Sequence, residues 1–256
     1  MRKILNQIIL LLVIIFLVHS LYVVWINPNV EIIKQLSLEN GTSLPRNFFI
    51  IFKDIEQEIC MILFFWGFYL IVEKFYETSA QSYLFDVDLL EDISSDGNDA
   101  ENILKNLEEL PKEINDSPLI KIISSALRRF LITGSVQNAS ESITPALDAL
   151  IVKNEADLAL VKYIAWAIPS IGFIGTVRGI GMAMTQAEIA VSGDIGPMTE
   201  SLGMAFNSTF VALLASIIIM LMLSFLGRAQ DEQLVRVQEY CEKYLIKKIS
   251  IIKKPE

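Results

Sequence analysis

The sequence predicts an all-α polytopic membrane protein with four transmembrane helices, a small helical cytoplasmic lobe and a cytoplasmic C-terminal helix. Three observations support this fold class. The 256 residues are 53% apolar and 20% charged, and the mean hydropathy of +0.48 is well above that of a soluble domain. The apolar residues are concentrated in four long runs. Lys and Arg are concentrated in alternate segments between these runs, as is typical of membrane proteins.

Each apolar run is long enough to cross a bilayer, which needs about 20 mainly apolar residues. The spans are predicted at about residues 4–26, 55–76, 161–187 and 202–227. The first run is longer than the apolar core of a signal peptide, and it ends near Trp25, a residue typical of the bilayer interface. The second span is the weakest, because Glu56 and Glu58 interrupt it and are expected near one interface.

These spans divide the chain into four parts and place both termini on one side of the membrane. The parts are an N-terminal transmembrane hairpin, an acidic helical lobe, a core of two further spans and a C-terminal helix, at residues 1–76, 77–160, 161–228 and 229–256. Cations are frequent before the first span, in the lobe and after the fourth span. The other two connections carry only Lys34, Arg46 and Lys53. This bias predicts that both termini and the lobe are cytoplasmic.

The lobe begins with a strongly acidic run. Six acidic residues follow one another without an intervening cation, namely Asp86, Asp88, Glu91, Asp92, Asp96 and Asp99. We interpret the run as a solvated surface, with a docking face for a basic partner as the alternative. Amphipathic stretches at 101–110 and 118–132 predict two helices, the second of which stops at Gly134. Apolar residues at helical spacing in 231–252 predict that the fourth span continues as a helix.

Small and hydroxyl-bearing residues form one stripe on each of the last two spans. At about 100° per residue, the stripe of the third span is Pro169, Gly172, Thr176, Gly179 and Ala183, and that of the fourth is Ala205, Thr209, Ala212 and Ser216. One interpretation is helix packing alone, which the Gly175-xxx-Gly179 spacing also favours. The other is that identical helices from several subunits turn the stripes inward to line an ion passage.

The residue types exclude several classes of function. Neither stripe contains Asp, Glu or His, so a titrating carboxylate is expected to come from another protein. The chain has no phosphate-binding loop, metal-ligand spacing or nucleophile elbow, so we expect no enzyme, no metal and no cofactor. The net charge of -9 argues against nucleic-acid binding. Cys60 and Cys241 are separated by the predicted topology, so no disulfide is expected, and His19 is interpreted as structural.

Two segments, AIPSIGFIGTVRGI at 167–180 and LGMAFNSTFVALLA at 202–215, resemble the MotA/TolQ/ExbB proton channel family. The resemblance depends on a proline with spaced glycines, a Gly-Thr pair, a short acidic connection, and small residues with a second threonine. Thr176 and Thr209 match the family's paired lumen threonines, and Pro169 matches the proline before its glycine-rich face. The four spans resemble the flagellar-stator branch, whereas the Gly175-Thr176 pair is closer to the ExbB/TolQ branch.

The resemblance implies an ion-channel and stator subunit of a bacterial inner-membrane motor complex, which couples proton or sodium flow to mechanical work. It implies a homopentamer in membrane lipid around a single-span partner protein with an intramembrane Asp. The candidate ion pathway is Thr176, Thr209, Ser216, Ala205 and Ala212, and the candidate packing residues are Pro169, Gly172, Gly175 and Gly179. The alternative is a non-conducting scaffold or signalling protein that recruits partners through its lobe. Import, envelope maintenance, motility and defence are all open as the process powered.

Arg178 departs from the family pattern, which commonly has an apolar or aromatic residue at this position. It lies about 200° around the helix from Thr176, so it is expected to point away from the predicted passage. An arginine at this depth needs a partner. We expect Arg178 to snorkel to the outer interface or to pair with an adjacent subunit, with control of ion passage as the alternative.

Overall fold

A computed structural model of the chain describes residues 2–41, 44–80, 82–86, 90 and 99–252. Four helical runs in this part of the chain are long and apolar enough to cross a membrane, namely Leu5–Glu39, Ile55–Phe85, Val136–Thr185 and Gly196–Ser250. The predicted fold class is therefore confirmed: the chain is an all-α polytopic membrane protein. Most of the predicted acidic run, Asp88, Glu91, Asp92 and Asp96, lies outside the described residues.

The helices in chain order are α1 (Arg2–Leu21), α2 (Asn27–Glu39), α3 (Phe48–Ile51), α4 (Ile55–Ser79), α5 (Asp99–Glu108), α6 (Lys112–Asn115), α7 (Pro118–Thr133), α8 (Val136–Thr185), α9 (Ala187–Val191), α10 (Gly196–Tyr240) and α11 (Lys247–Ile252). Short π-helical segments at Tyr22–Ile26 and Cys241–Ile246 join α1 to α2 and α10 to α11, and Ser82–Phe85 is a 3-10 helix. The chain forms two compact units. Unit 1 is Met1–Val72 with Leu160–Ser224, and unit 2 is Glu73–Ala159 with Phe225–Glu256.

The first helical run continues beyond Ile26, where its apolar run ends, and beyond Pro28. Pro28 has no backbone N–H and cannot donate to the carbonyl four residues earlier. The helix widens into a π-helical segment just before it, where the Asn27 N–H donates to the Tyr22 carbonyl. Pro28 then occupies the first turn of α2, where a missing N–H costs little, so the helix continues to Glu39.

Unit 1 contains the membrane-spanning parts of α1, α4, α8 and α10. The first helical run buries one stripe, Val18, Tyr22, Ile26 and Val30, which packs with Ile50 and with partly buried residues of α4. Most of its remaining apolar side chains are exposed, including Phe16 at 71%. An apolar surface of this kind is stable where it contacts lipid or another chain, which agrees with a membrane span.

Unit 2 is a helical lobe with its own apolar core. Its largest contribution comes from α7, and the residues that follow the fourth span complete it; buried members include Ile120, Ile123, Leu127, Val237 and Leu245. α5 and α7 match the two predicted amphipathic stretches. The predicted stop at Gly134 is confirmed, because this residue caps α7 at a φ of 62°, a conformation that glycine adopts without a Cβ clash. The fourth span continues as helix to Tyr240, as predicted.

Candidate functional site

The two stripes of small residues pack against each other within one chain. A Cβ atom on Gly172 would lie 2.5 Å from the Ala212 Cβ, and one on Gly179 would lie 2.7 Å from the Ala205 backbone nitrogen. A Cβ atom on Gly175 would lie 2.5 Å from the Ser208 Cβ. These distances are too short for a methyl group, so all three glycines are required for the close approach of α8 and α10.

Thr176 and Thr209 meet across this contact, and their hydroxyl groups are hydrogen-bonded to each other. The Gly172 carbonyl oxygen lies 3.2 Å from Thr176 Oγ1 and 3.3 Å from Thr209 Oγ1. The Ala205 carbonyl oxygen lies 3.2 Å and 3.5 Å from the same two atoms. Two hydroxyl protons are shared among four oxygens, so part of the acceptor capacity of this cluster is free for water or a cation.

The threonine pair lies within an otherwise apolar exposed surface. Thr176 and Thr209 are half-buried, and on one side of them four apolar residues a turn away are exposed, namely Phe173, Ile180, Phe206 and Leu213. We call this surface the threonine face, and it consists of Phe173, Thr176, Ile180, Phe206, Thr209 and Leu213. An apolar membrane surface with one hydroxyl pair is suited to contact a further helix, because small and hydroxyl-bearing residues mark helix-helix contacts in membranes.

Ser216 bonds to a backbone carbonyl that Pro169 leaves without its helical donor. Because proline has no N–H, the Ala165 carbonyl four residues earlier loses its usual hydrogen bond. Ser216 Oγ lies 3.1 Å from this carbonyl oxygen and donates to it. In a membrane such a replacement is necessary, because water is not available as a donor. The pairing places the Ser216 hydroxyl inside the helix contact.

The predicted pathway residues therefore occupy two different environments in the single chain. Ala205 and Ala212 are fully buried, and Ser216 is 4% exposed, so all three are covered by their own subunit. Thr176 and Thr209 reach the surface. Among the predicted packing residues, the three glycines lie directly against α10, and Pro169 is half-buried.

Arg178 pairs with the second span of its own chain. Its Nη2 atom donates to Glu56 Oε2 at 2.6 Å, and Glu56 is 5% exposed. The Glu56 Cγ lies 3.1 Å from where a Gly175 Cβ would be, so this glycine also makes room for the acid. Sequence reasoning missed the pair. The available signal was that two opposite charges interrupt two apolar runs, since charges within a membrane generally pair.

Other polar residues around the start of α4 also have protein partners. Gln57 is fully buried and donates from Nε2 to Ser208 Oγ at 3.3 Å. His19 Nδ1 lies 2.8 Å from Glu58 Oε1. Burial raises the pKa of the Asp54 carboxyl just outside the span, and the nearby Lys53 and Arg178 charges oppose that increase. Glu56 and Glu58, the two acids of the weakest span, thus each have a partner within the chain.

The described residues contain no group of three or more His, Cys, Asp or Glu that is arranged to hold a metal ion. Cys60 and Cys241 are both free and buried. The site therefore consists of hydroxyl groups, backbone carbonyls and one ion pair, within closely packed helices. Its chemistry is hydrogen bonding and electrostatic stabilisation at the surface of a membrane helix pair.

The fold and this site define a polytopic α-helical membrane protein with a close helix pair and a surface threonine pair. Residues 114–239 match the model of the MotA/TolQ/ExbB proton channel family, and this match supports the resemblance that the sequence predicted. The matched segment is nearly half of the chain and contains α7, α8 and α10 as far as residue 239. No curated protein and no solved structure matches the chain.

Proposed function

We propose that this chain is the ion-conducting stator subunit of a bacterial inner-membrane motor complex. The match to the MotA/TolQ/ExbB family supports an ion-channel-type, multi-pass membrane protein that acts in oligomeric complexes with partner membrane proteins. In the proposed complex, a homopentamer with cytoplasmic termini encloses a single-span partner whose intramembrane Asp carries a proton or sodium ion. Ion flow then drives movement of the ring relative to the partner, which performs the mechanical work.

The observation that carries this proposal is the half-buried threonine pair on an apolar surface. The threonine face contains no Asp, Glu or His. It therefore offers hydrogen bonds but no side chain that takes up and releases a proton near neutral pH. A partner carboxylate against this face would supply the titrating group. The free acceptor capacity of the hydroxyl and carbonyl oxygens would stabilise a protonated acid or a hydrated cation that apolar side chains alone exclude.

Within this proposal, ion contact is assigned to Thr176 and Thr209. Ala205, Ala212 and Ser216 support the pathway from behind, because they hold α10 close to α8 and so fix the spacing of the two hydroxyl groups. The Glu56–Arg178 ion pair joins α4 to α8 at the level of the threonine pair. The Glu56 side chain packs against Gly175, which directly precedes Thr176 in α8.

Removal of the hydroxyl groups is expected to reduce ion conduction without preventing assembly. Thr176→Val and Thr209→Val each replace a hydroxyl by a methyl group and keep the branched shape of the side chain. Each hydroxyl is expected to stabilise the passing ion by one hydrogen bond. Its loss raises the barrier to ion passage by about 1–1.5 kcal/mol, which lowers the flux about tenfold. Flux is measured with ion-sensitive dyes in proteoliposomes that contain the chain and its co-purified partner, under a proton or a sodium gradient.

Thr185→Val provides the matched control. This threonine belongs to the same helix, and its hydroxyl donates to the Met182 carbonyl at 2.7 Å, away from the threonine face. Its flux should equal that of the wild type, and Thr176→Ser should retain most of the flux because it keeps the hydroxyl. Wild-type flux in both valine variants, with the partner bound, would refute the assigned pathway.

A non-conducting scaffold is the second candidate function. It is favoured by the burial of Ala205 and Ala212, because the small stripes already serve to pack α8 against α10 within one chain. The scaffold would recruit partners through unit 2. It predicts that the wild-type complex with its partner conducts no more than empty liposomes under either gradient, whereas the stator proposal predicts a flux that requires the partner.

A further inference from the structure

Unit 1 contains a cavity of about 650 Å³ between the connection that precedes α4 and the start of α10. This volume lies within the range of about 300–1,000 Å³ that is typical of small-molecule sites. The cavity wall is apolar where Leu38, Leu44, Ile50 and Phe206 line it. The cavity therefore has the size and the partly apolar lining of a ligand site, and its polar residues indicate which ligand it suits.

Three cations converge on this cavity. Lys34, Arg46 and Lys53 are the only Lys and Arg residues in 27–54, and the connection at 186–201 on the same side of the spans has none. All three line the cavity. Membrane proteins deplete cations in the connections on one side of the bilayer. Because the few Lys and Arg residues of these connections all line one cavity, the arrangement indicates an anionic ligand.

The acids in the lining do not neutralise these cations fully. Lys53 Nζ lies 2.5 Å from Glu200 Oε1, and Lys34 Nζ lies 3.6 Å from the same oxygen, so two ammonium groups share one carboxylate. The other lining acid, Asp194, accepts a hydrogen bond from the Gly196 N–H. Arg46 is exposed and has no ion-pair partner in the described part of the chain. Its guanidinium is therefore available to a ligand.

Asn207 provides independent evidence for a ligand. Its side chain lines the same cavity and is only 6% exposed, and among the described residues it has no hydrogen-bond partner. Its amide therefore opens onto the cavity and not onto a protein partner. Such a group is usually satisfied by something bound beside it, and the amide N–H groups suit an oxygen-rich anion.

We infer that this cavity binds the phosphate headgroup of an anionic membrane phospholipid. Arg46 and Lys34 lie in the connection, whereas Phe206 and Asn207 lie within the predicted span at 202–227, so the cavity extends from the membrane surface into the apolar layer. A matching ligand must be negatively charged at one end and apolar at the other. The phosphate would accept hydrogen bonds from Arg46 and Asn207, and an acyl chain would lie along the apolar lining residues Leu38 and Ile50. This site does not depend on ion conduction.

The inference is tested with the full chain, purified in detergent and delipidated. Native mass spectrometry measures binding of dioleoyl-phosphatidylglycerol and of zwitterionic dioleoyl-phosphatidylcholine. We expect preferential binding of the anionic lipid, and about fivefold weaker binding of it by Arg46→Gln, since one basic residue near a membrane surface contributes about 1 kcal/mol. Asn207→Leu is expected to weaken binding as well. Arg129→Gln removes an exposed cation of α7 in unit 2 and should leave binding unchanged.

Three results would overturn the inference. The first is equal binding of the two lipids, or unchanged lipid binding by Arg46→Gln, a variant of an exposed connection residue that leaves the buried packing intact. The second is equally tight binding of inorganic phosphate or of the free glycerophosphoglycerol headgroup, because the ligand would then be a soluble anion. The third is a peptide adduct on a photoreactive amino acid placed at Leu38 in the intact complex, because a protein segment would then fill the cavity. A lipid adduct there supports it.

Discussion

Gly179→Ala is expected to lower the free energy of unfolding by about 3 kcal/mol, the upper part of the range for overpacked sites. The added methyl group would lie 2.7 Å from the Ala205 nitrogen and 2.8 Å from the Ser201 carbonyl oxygen. Both atoms belong to the α10 backbone, so no side-chain rotation relieves the clash and the two helices must separate. Denaturation of the detergent-solubilised chain, followed by circular dichroism, measures the change.

Gly181→Ala is the matched control for this experiment. Gly181 lies on the same helix two residues away, and a Cβ atom there meets nothing within 4 Å. Alanine is favoured over glycine in a helix by up to about 1 kcal/mol, so this variant should be as stable as the wild type or more stable. If Gly179→Ala and Gly181→Ala lowered the free energy of unfolding equally, the effect at Gly179 would not come from the close contact between α8 and α10.

Glu56→Gln is expected to destabilise the chain by about 3 kcal/mol, the lower part of the range for breaking a buried ion pair. The carboxylate is almost fully buried, and its loss leaves Arg178 without its ion-pair partner. The lower value applies because 40% of the Arg178 side chain is exposed. Replacement of both partners, Glu56→Gln with Arg178→Met, should restore most of the stability, since no unpaired charge is left.

A double-mutant cycle measures the coupling between these two residues directly. The double variant should be more stable than Glu56→Gln alone, although it carries one more substitution. Glu232→Gln is the control, because Glu232 forms an exposed pair with Arg236 at 3.3 Å and should contribute no more than about 0.5 kcal/mol. Purely additive effects at Glu56 and Arg178 would contradict the ion pair.

The spans and the small-residue stripes were predictable because each depends on local properties. A span requires only a long apolar run. The stripes follow from the angle per residue, so Gly172, Thr176 and Gly179 could be placed on one face from the sequence. Helical periodicity does not show which other helix a stripe packs against. The stripes of α8 and α10 meet each other, with Thr176 and Thr209 at the edge of that contact.

The remaining features involve partners that are distant in sequence. Glu56 and Arg178 are separated by 122 positions, and Ser216 and Ala165 by 51. Their pairing depends on which spans are neighbours and on the depth of each residue, and hydropathy determines neither. The continuation of the first helical run past Pro28 has a local reason. Proline removes one hydrogen bond, and a π-helical segment absorbs that loss without ending the helix.

The most direct test of the proposed function is disulfide cross-linking in the assembled complex. A cysteine at Thr176, in a chain with Cys60 and Cys241 replaced by alanine, is combined with single cysteines along the span of the co-purified partner. We predict cross-links at partner positions that flank its intramembrane Asp and recur every three to four residues, because a helix presents one face to Thr176. Cross-links only between copies of this chain, with none to the partner's span, would contradict the proposal.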